Sequence, residues 1–214
     1  MRHGFWGVLA GTIGMVITGG VSAEAGEAVL VPEPARASIV VRTYTRPASA
    51  AHMPVARRTA SAALDGAGIQ VVWVECGVAA AQGAPDLCTQ PLRRHELVVR
   101  LVSAGTLDGR SPGDSLGFAF VDLHSGGGSL ATVYADRVEA MARLAGVGVA
   151  ELLGRAMAHE IGHLLLGTNQ HAAHGLMRAS WSGADLRRDR ATQWLFGGKE
   201  GDEMRRRIAS RPGS

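Results

Sequence analysis

Residues 159–177 read HEIGHLLLGTNQHAAHGLM, and the first five of them form an HExxH pattern. His159 and His163 are four residues apart, so on a helix both imidazoles project from one side and can share one metal ion. Glu160 is rotated by roughly 100° from His159, which puts its carboxylate beside that ion instead of on it. There the carboxylate can take a proton from a metal-bound water. The pattern therefore predicts a metal site with an adjacent general base.

The HExxH pattern lies within a longer stretch, residues 147–166, whose apolar residues recur with the period of a helix on most of its surface. We predict a buried helix that ends at Gly167, because glycine most readily takes the left-handed conformation after a helix end. Glu160 on such a helix would cost on the order of several kcal/mol without a partner, and a metal with its water supplies one. Chance occurrence of the pattern, in roughly one chain in a hundred of this composition, is the weaker interpretation.

A catalytic zinc requires three protein ligands and an open position, so a third ligand must come from elsewhere in the chain. His171 and His174 follow the predicted helix within a few residues. We favour His171, since a short loop can fold it back onto the helix face, and His174 is the alternative. An acidic ligand, Asp185 or Glu203, is a further alternative.

Residues 159–177 resemble the metzincin metallopeptidases, whose pattern is HExxHxxGxxH followed by a Met-containing turn beneath the zinc. The resemblance implies Zn²⁺ as the cofactor, Glu160 as the catalytic base and Met177 as the methionine of the turn; an ordinary core methionine is the alternative for Met177. The order of predicted elements also resembles the upper metzincin subdomain, in which an antiparallel edge strand lines the substrate cleft. By position, that strand is residues 116–123.

The sequence departs from the family pattern between the second and third histidines. Leu166 and Asn169 occupy the positions of the family's glycine and third histidine, whereas Gly167 and His171 come one and two residues later. The loop to the third histidine must therefore be longer than in typical members. We interpret the chain as resembling a divergent, secreted bacterial subgroup of metzincins.

The rest of the chain divides into elements separated by turn residues. We predict strands at residues 38–44, 69–76, 96–103, 116–123 and 130–136, a helix at residues 54–64 and a turn at residues 125–128. Residues 185–210 are polar with sparse apolar residues, which predicts one or two surface helices. The expected fold class is α+β: a metzincin-like, twisted, five-stranded mixed sheet with an early helix, a buried active-site helix and a small helical C-terminal subdomain.

The N-terminus has the three parts of a secretory signal: basic residues, an apolar stretch at residues 5–17 and small residues ending at Ala23. We predict a signal peptide at residues 1–23, with cleavage after Ala25 as the alternative, and expect no stable membrane anchor. A flexible leader at residues 24–37 would precede one catalytic domain at residues 38–210. Its upper part would be residues 38–167 and its lower part residues 168–210.

Export to a periplasm or out of the cell places the two cysteines, Cys76 and Cys88, in an oxidising compartment. A thiol pair there is more often a disulfide than a redox or metal site, so we predict a disulfide between them. Two free buried thiols are the alternative.

The composition is that of a globular protein. The chain has 214 residues, 46% of them hydrophobic, and 22 Lys and Arg against 19 Asp and Glu give a net charge of +3. This excludes bulk disorder and a multi-span membrane protein, and the positive bias is too weak to indicate a nucleic-acid partner. The sequence has no signature of oligomeric state.

Together these features predict a secreted zinc-dependent endopeptidase that acts on a peptide or protein substrate through a Glu-assisted, zinc-bound water. The alternative is an exported zinc-binding protein whose HExxH site is structural or inactive, because the altered histidine spacing closes the coordination sphere.

Overall fold

The computed structural model describes residues 36–77, 86–104, 115–124, 126–188 and 190–211. The predicted signal peptide at residues 1–23 and all but the end of the leader at residues 24–37 lie outside these described residues. Five strands form one sheet: β1 (Ala37–Tyr44), β2 (Ile69–Glu75), β3 (Glu96–Val102), β4 (Gly117–Asp122) and β5 (Gly127–Tyr134). Helices connect or follow them: α1 (Met53–Gly66), α2 (Ala135–Ala145), α3 (Val149–Leu166), α4 (Gly183–Arg188) and α5 (Gly198–Ser210).

The strand order across the sheet is β2-β1-β3-β5-β4. The pairs β1–β2, β1–β3 and β3–β5 are parallel, whereas β4 runs antiparallel to β5 at the edge of the sheet. The expected α+β class with a five-stranded mixed sheet is therefore confirmed, and the strand expected at residues 116–123 is the antiparallel edge strand. Parallel strands need long crossover connections, and α1 supplies the one between β1 and β2.

The core lies between one face of the sheet and the helices α1 and α3. Alternate residues of the strands face it, among them Ile39, Val41, Leu97 and Val99, none of which is exposed. Helix α3 crosses the middle of this layer and is buried on most of its surface. It ends at Gly167, whose φ of 62° is left-handed as its position predicts. A buried, centrally placed α3 gives the side chains of the HExxH pattern a rigid support.

The structure corrects two boundaries around β5. The turn expected at residues 125–128 is shorter, because β5 already begins at Gly127. Gly128 suits this position in the strand, since a Cβ there would stand only 2.4 Å from the Phe120 carbonyl oxygen. The strand expected at residues 130–136 ends at Tyr134, and Asp136 lies in the first turn of α2. The Asp136 carboxylate accepts hydrogen bonds from the backbone N–H of Ala104 and from Ser103, which fixes the start of this helix.

The C-terminal segment forms α4 and α5, with a 3-10 turn at Ala191–Trp194 between them. These helices are not entirely on the surface, because Leu186, Trp194, Met204 and Ile208 belong to the hydrophobic core. Short apolar sets on polar helices are enough to attach the segment to the domain.

A disulfide joins Cys76 to Cys88, just after β2. Arg42 of β1 and Glu96 of β3 form a buried ion pair beside the segment that follows Cys88, and Arg42 also donates to the carbonyl oxygens of Gln90 and Pro91. These contacts hold residues 88–96 against the sheet. Within the described part of the chain, none of the helices is both long and apolar enough to span a bilayer.

Candidate metal centre

The imidazole rings of His159 and His163 lie close together on one side of α3. The Nε2 atoms of His159 and His163 are 3.1 Å apart, and the two rings stand edge to face with centroids 4.7 Å apart. Both side chains are buried. The four-residue spacing thus brings both imidazoles to one side, as helix geometry dictates.

Backbone carbonyls fix the tautomer of each ring. The Nδ1 of His159 donates to the Leu176 oxygen at 2.9 Å, and the Nδ1 of His163 donates to the Thr168 oxygen at 2.8 Å. A carbonyl oxygen can only accept, so the Nδ1 atoms carry the hydrogens and the Nε2 atoms present lone pairs. Burial lowers the pKa of His159 to about 4 and also lowers the pKa of His163, so both rings are neutral near pH 7.

Two facing lone pairs 3.1 Å apart cannot hydrogen-bond to each other, because neither nitrogen carries a proton. A metal cation bound to both Nε2 atoms removes the repulsion. Metal-ligating histidines commonly donate their other ring N–H to a carbonyl in this way. The donor set of His159 and His163 therefore fits a metal ion.

His171 completes the group. Its ring is centred 5.3 Å from that of His159 and 4.8 Å from that of His163, and one ligand nitrogen from each of the three lies within 4.8 Å of the others. In contrast to the helix histidines, His171 is exposed. Three histidine ligands would leave one position of a four-coordinate ion open.

The alternative third ligands lie elsewhere. Among the described residues, His174, Asp185 and Glu203 belong to no group able to hold a metal with the two helix histidines. The Asp185 carboxylate accepts from Ser182 and lies 3.4 Å from Arg178, and Glu203 pairs with Arg207. Both carboxylates therefore have cationic partners of their own.

Glu160 lies beside this group, with only 6% of its surface exposed. No group in the described part of the chain hydrogen-bonds to its carboxylate, and burial raises the pKa of Glu160 to about 8. A Cβ on Gly117 of β4 would stand 2.9 Å from Glu160 Oε1, so the absence of a side chain there makes room for the carboxylate. Glu160 is thus a buried carboxyl group next to the edge strand.

Met177 is buried against α3. A Cβ on Gly162 would stand 2.6 Å from the Met177 sulfur, so the methionine packs on the helix at the residue before His163. The preceding residue, Leu176, supplies the carbonyl that fixes His159. Trp181 follows and packs edge to face on the His159 ring, with centroids 5.5 Å apart.

A cavity of about 570 Å³ opens over the histidines and Glu160. Residues 115–119, at the start of β4, form one wall, and residues 178–181, after Met177, form the other. Met141 of α2 and Ala156 of α3 also line it.

Sequence reasoning missed three parts of this site. The carbonyls of Leu176 and Thr168 have no sequence signature, because every residue carries one. Trp181 was not predicted as a residue of the site. Its distance from Met177 was readable, but the fold of the intervening loop was not.

No family model and no curated protein matches the sequence. Two solved structures are similar in shape. One is a zinc-dependent peptidase from Methanocorpusculum labreanum, with a TM-score of 0.46 and 17% identity over 78% of this chain and 99% of that chain. The other is an archaemetzincin from Methanopyrus kandleri, with a TM-score of 0.46 and 17% identity over 84% of this chain and 99% of that chain. Similarity of this extent does not assign an activity.

Proposed function

We propose that this chain is a zinc-dependent peptidase, with His159, His163 and His171 as metal ligands and Glu160 as the catalytic base. One observation carries the proposal: two buried Nε2 lone pairs face each other at 3.1 Å while an unpartnered carboxylate lies beside them in an open cavity. A structural metal site would have no need of a buried free base or of a cleft.

The choice of zinc follows from the donors. Neutral imidazole suits zinc, and three protein ligands with an open fourth position are typical of catalytic zinc sites. Zinc bound here would supply a positive charge that polarises a scissile carbonyl and lowers the pKa of an attacking water.

The chain's own residues supply the remaining chemistry. Glu160 accepts the proton of the attacking water and delivers it to the leaving amine, since its carboxylate has no other partner to release. The free edge of β4 hydrogen-bonds an extended substrate main chain, as an added strand would. Trp181 holds the His159 ring from the side.

We also propose that the protein is exported, to a periplasm or outside the cell. The predicted signal peptide at residues 1–23 supports this, and so does the Cys76–Cys88 disulfide, because such bonds persist in oxidising compartments.

The decisive experiment compares the zinc-loaded mature chain with its Glu160→Gln variant on a diverse peptide library. Cleavage by the wild type alone is expected. If neither protein cleaves while each binds one zinc, the proposal falls and the chain is a zinc-binding protein with a structural or inactive site.

The third ligand is tested separately by metal affinity. We expect His171→Ala to weaken zinc binding by at least about a hundredfold, since one of three ligands is lost. The matched variant His174→Ala should bind zinc as the wild type does. The reverse result would move the third ligand to His174, and unchanged binding in both variants would favour an acidic ligand.

A further inference from the structure

A second cavity, of about 660 Å³, lies at the far end of β4. Three arginines line it: Arg93 and Arg94, just before β3, and Arg211, just after α5. We call this cavity the basic groove. Sequence analysis gave no reason to group these residues, because Arg211 is more than a hundred positions from the other two.

The three guanidinium groups are bonded to neutral acceptors. Arg93 donates to the side-chain oxygen of Gln90 at 2.9 Å, Arg94 to the carbonyl of Ala209, and Arg211 to the carbonyl of Gly128 at 2.6 Å. None of the three forms an ion pair with a described residue. Their charges are therefore held in place without being neutralised.

The carboxylates of the groove do not cancel this charge. Glu96 is already paired with Arg42 and also accepts the backbone N–H of Arg93. Asp122 also lines the groove, and its carboxylate accepts the backbone N–H of His124. Its single negative charge offsets the charge of one of the three arginines. A net positive charge remains, and it suits an anionic group.

Strand β4 connects the basic groove with the metal centre. Its start lines the cavity over the histidines, and Phe120, Val121 and Asp122 line the groove. Gly117 of β4 lies against Glu160. Counted from Gly117 along β4, the residues that line the groove are the third to the fifth, Phe120 to Asp122. At about 3.3 Å per strand residue, this is about 10 to 17 Å.

The outer edge of β4 is open to pairing. Among the described residues β4 pairs with β5 alone, and Phe120 is 56% exposed between the two cavities. An extended chain paired along this edge from Gly117 would pass Phe120 and bring a side chain to the arginines. An open edge strand accepts a peptide main chain in this way.

We propose that the basic groove selects acidic substrates: it binds the carboxylate of a peptide residue that lies three to five positions from the scissile bond. The proposal rests on the proposed peptidase function, because Glu160 defines where the bond is cleaved. Arg93 is the residue to vary, since it is exposed and, among the described residues, its side chain hydrogen-bonds to Gln90 alone. Arg94 and Arg211 each hold a backbone carbonyl and are left intact.

The test measures binding and cleavage on one peptide set. Peptides carry Glu, Gln or Lys at each position three to five residues on either side of a central site. Binding is followed by fluorescence anisotropy with the zinc-loaded Glu160→Gln variant, and cleavage is followed with the wild type. We expect at least one position where Glu binds about fivefold more tightly than Gln, and Lys more weakly than either.

Arg93→Gln should lower the preference for Glu over Gln, since it removes one of the three charges, and added salt should also lower it. Arg58→Gln is the matched control: Arg58 is an exposed arginine of α1, which packs on β2 at the opposite edge of the sheet. It should keep the full preference. Equal thermal midpoints for both variants would show that the loss is not one of folding.

The outcomes separate this proposal from the peptidase function. A charge preference in binding without any cleavage by the wild type would keep the basic groove and overturn the peptidase. Cleavage with no preference for Glu at any position, or a preference that Arg93→Gln leaves undiminished, would overturn the groove proposal alone. A single-stranded oligonucleotide that binds through Arg93 more tightly than every acidic peptide would also overturn it, in favour of a nucleic-acid partner.

Discussion

Glu96 and Glu160 are both buried, with 4% and 6% of their surfaces exposed, yet their surroundings are opposite. Glu96 faces the Arg42 guanidinium and the backbone N–H of Arg93. Glu160 has no partner among the described residues, and burial raises its pKa to about 8. One carboxylate is satisfied by the fold, whereas the other is left available.

The difference separates a structural charge from a chemical one. Leaving a carboxylate buried without a partner costs stability, and folds retain such groups mainly where they serve a function. Glu160 lies beside a group of three histidines. Glu96 lines the basic groove, but it is paired with Arg42, which holds the segment after the disulfide against β1 and β3. Environment, and not burial alone, tells the two apart.

The largest expected effect is on activity. Glu160→Gln keeps the shape of the side chain and removes the base, so kcat/KM for any peptide that the wild type cleaves should fall by about a hundredfold to ten-thousandfold. Zinc content should stay unchanged, because Glu160 is not a ligand. Glu96→Gln, assayed in parallel, should keep kcat; retained activity in Glu160→Gln would end the assignment of the base.

The next effect is on stability. Glu96→Gln leaves Arg42 buried without its counter-charge, and should lower the free energy of unfolding by about 3 kcal/mol in urea denaturation. The double variant Arg42→Met with Glu96→Leu should recover most of this loss. A change below about 1 kcal/mol in the single variant would show that the ion pair does not hold residues 88–96.

A pH series on metal-free protein should reveal the raised pKa of Glu160. Its folded value, about 8, lies above the unfolded value near 4.5, so the folded state holds an extra proton between these pH values. Stability is therefore lost as pH rises through this window. Glu160→Gln cannot titrate and should become the more stable protein above pH 8.

Zinc is the control for the pH series. A bound cation favours the carboxylate form of a neighbouring glutamate, so saturating zinc should flatten the difference between wild type and Glu160→Gln. His159 and His163 titrate in both proteins, and their contributions cancel. A difference that does not change with pH would contradict the raised pKa.

The smallest effect belongs to an exposed carboxylate. Asp65 pairs with Arg36 at 2.7 Å, but both side chains are about half exposed. Asp65→Asn should change the free energy of unfolding by no more than about 0.5 kcal/mol, because water and salt screen the pair. A loss of stability comparable to that of Glu96→Gln would show that burial does not determine how much these ion pairs contribute.

Local patterns carried much of the fold. β-Branched runs located the strands to within a few residues, and the helical period with Gly167 located α3. The α+β class and the antiparallel edge strand were thereby predictable. The histidine spacing likewise predicted that His159 and His163 would share one side of a helix.

One error of the sequence analysis came from overlooked local signals, and another came from a contact distant in sequence. Helix α2 went unpredicted because the apolar run of β5 continues into it, although Asp136 near its start and Gly146 at its end, with a φ of 69°, were readable signals. Gly127 and Gly128 are typical of a turn, but they lie in β5, where Gly128 lets the Phe120 carbonyl approach. The approach of the Phe120 carbonyl to Gly128 is not encoded in the local sequence.

The positions of the three histidines have a consequence for the kinetics of metal exchange. His159 and His163 are held by the core and by hydrogen bonds to two backbone carbonyls, so their two Nε2 atoms keep fixed positions. His171 comes from an exposed segment, so in the proposed site it would be the last ligand to bind. Release of an ion should begin with His171 swinging away, so substitutions in residues 168–175 should alter the dissociation rate while leaving the stability of α3 unchanged.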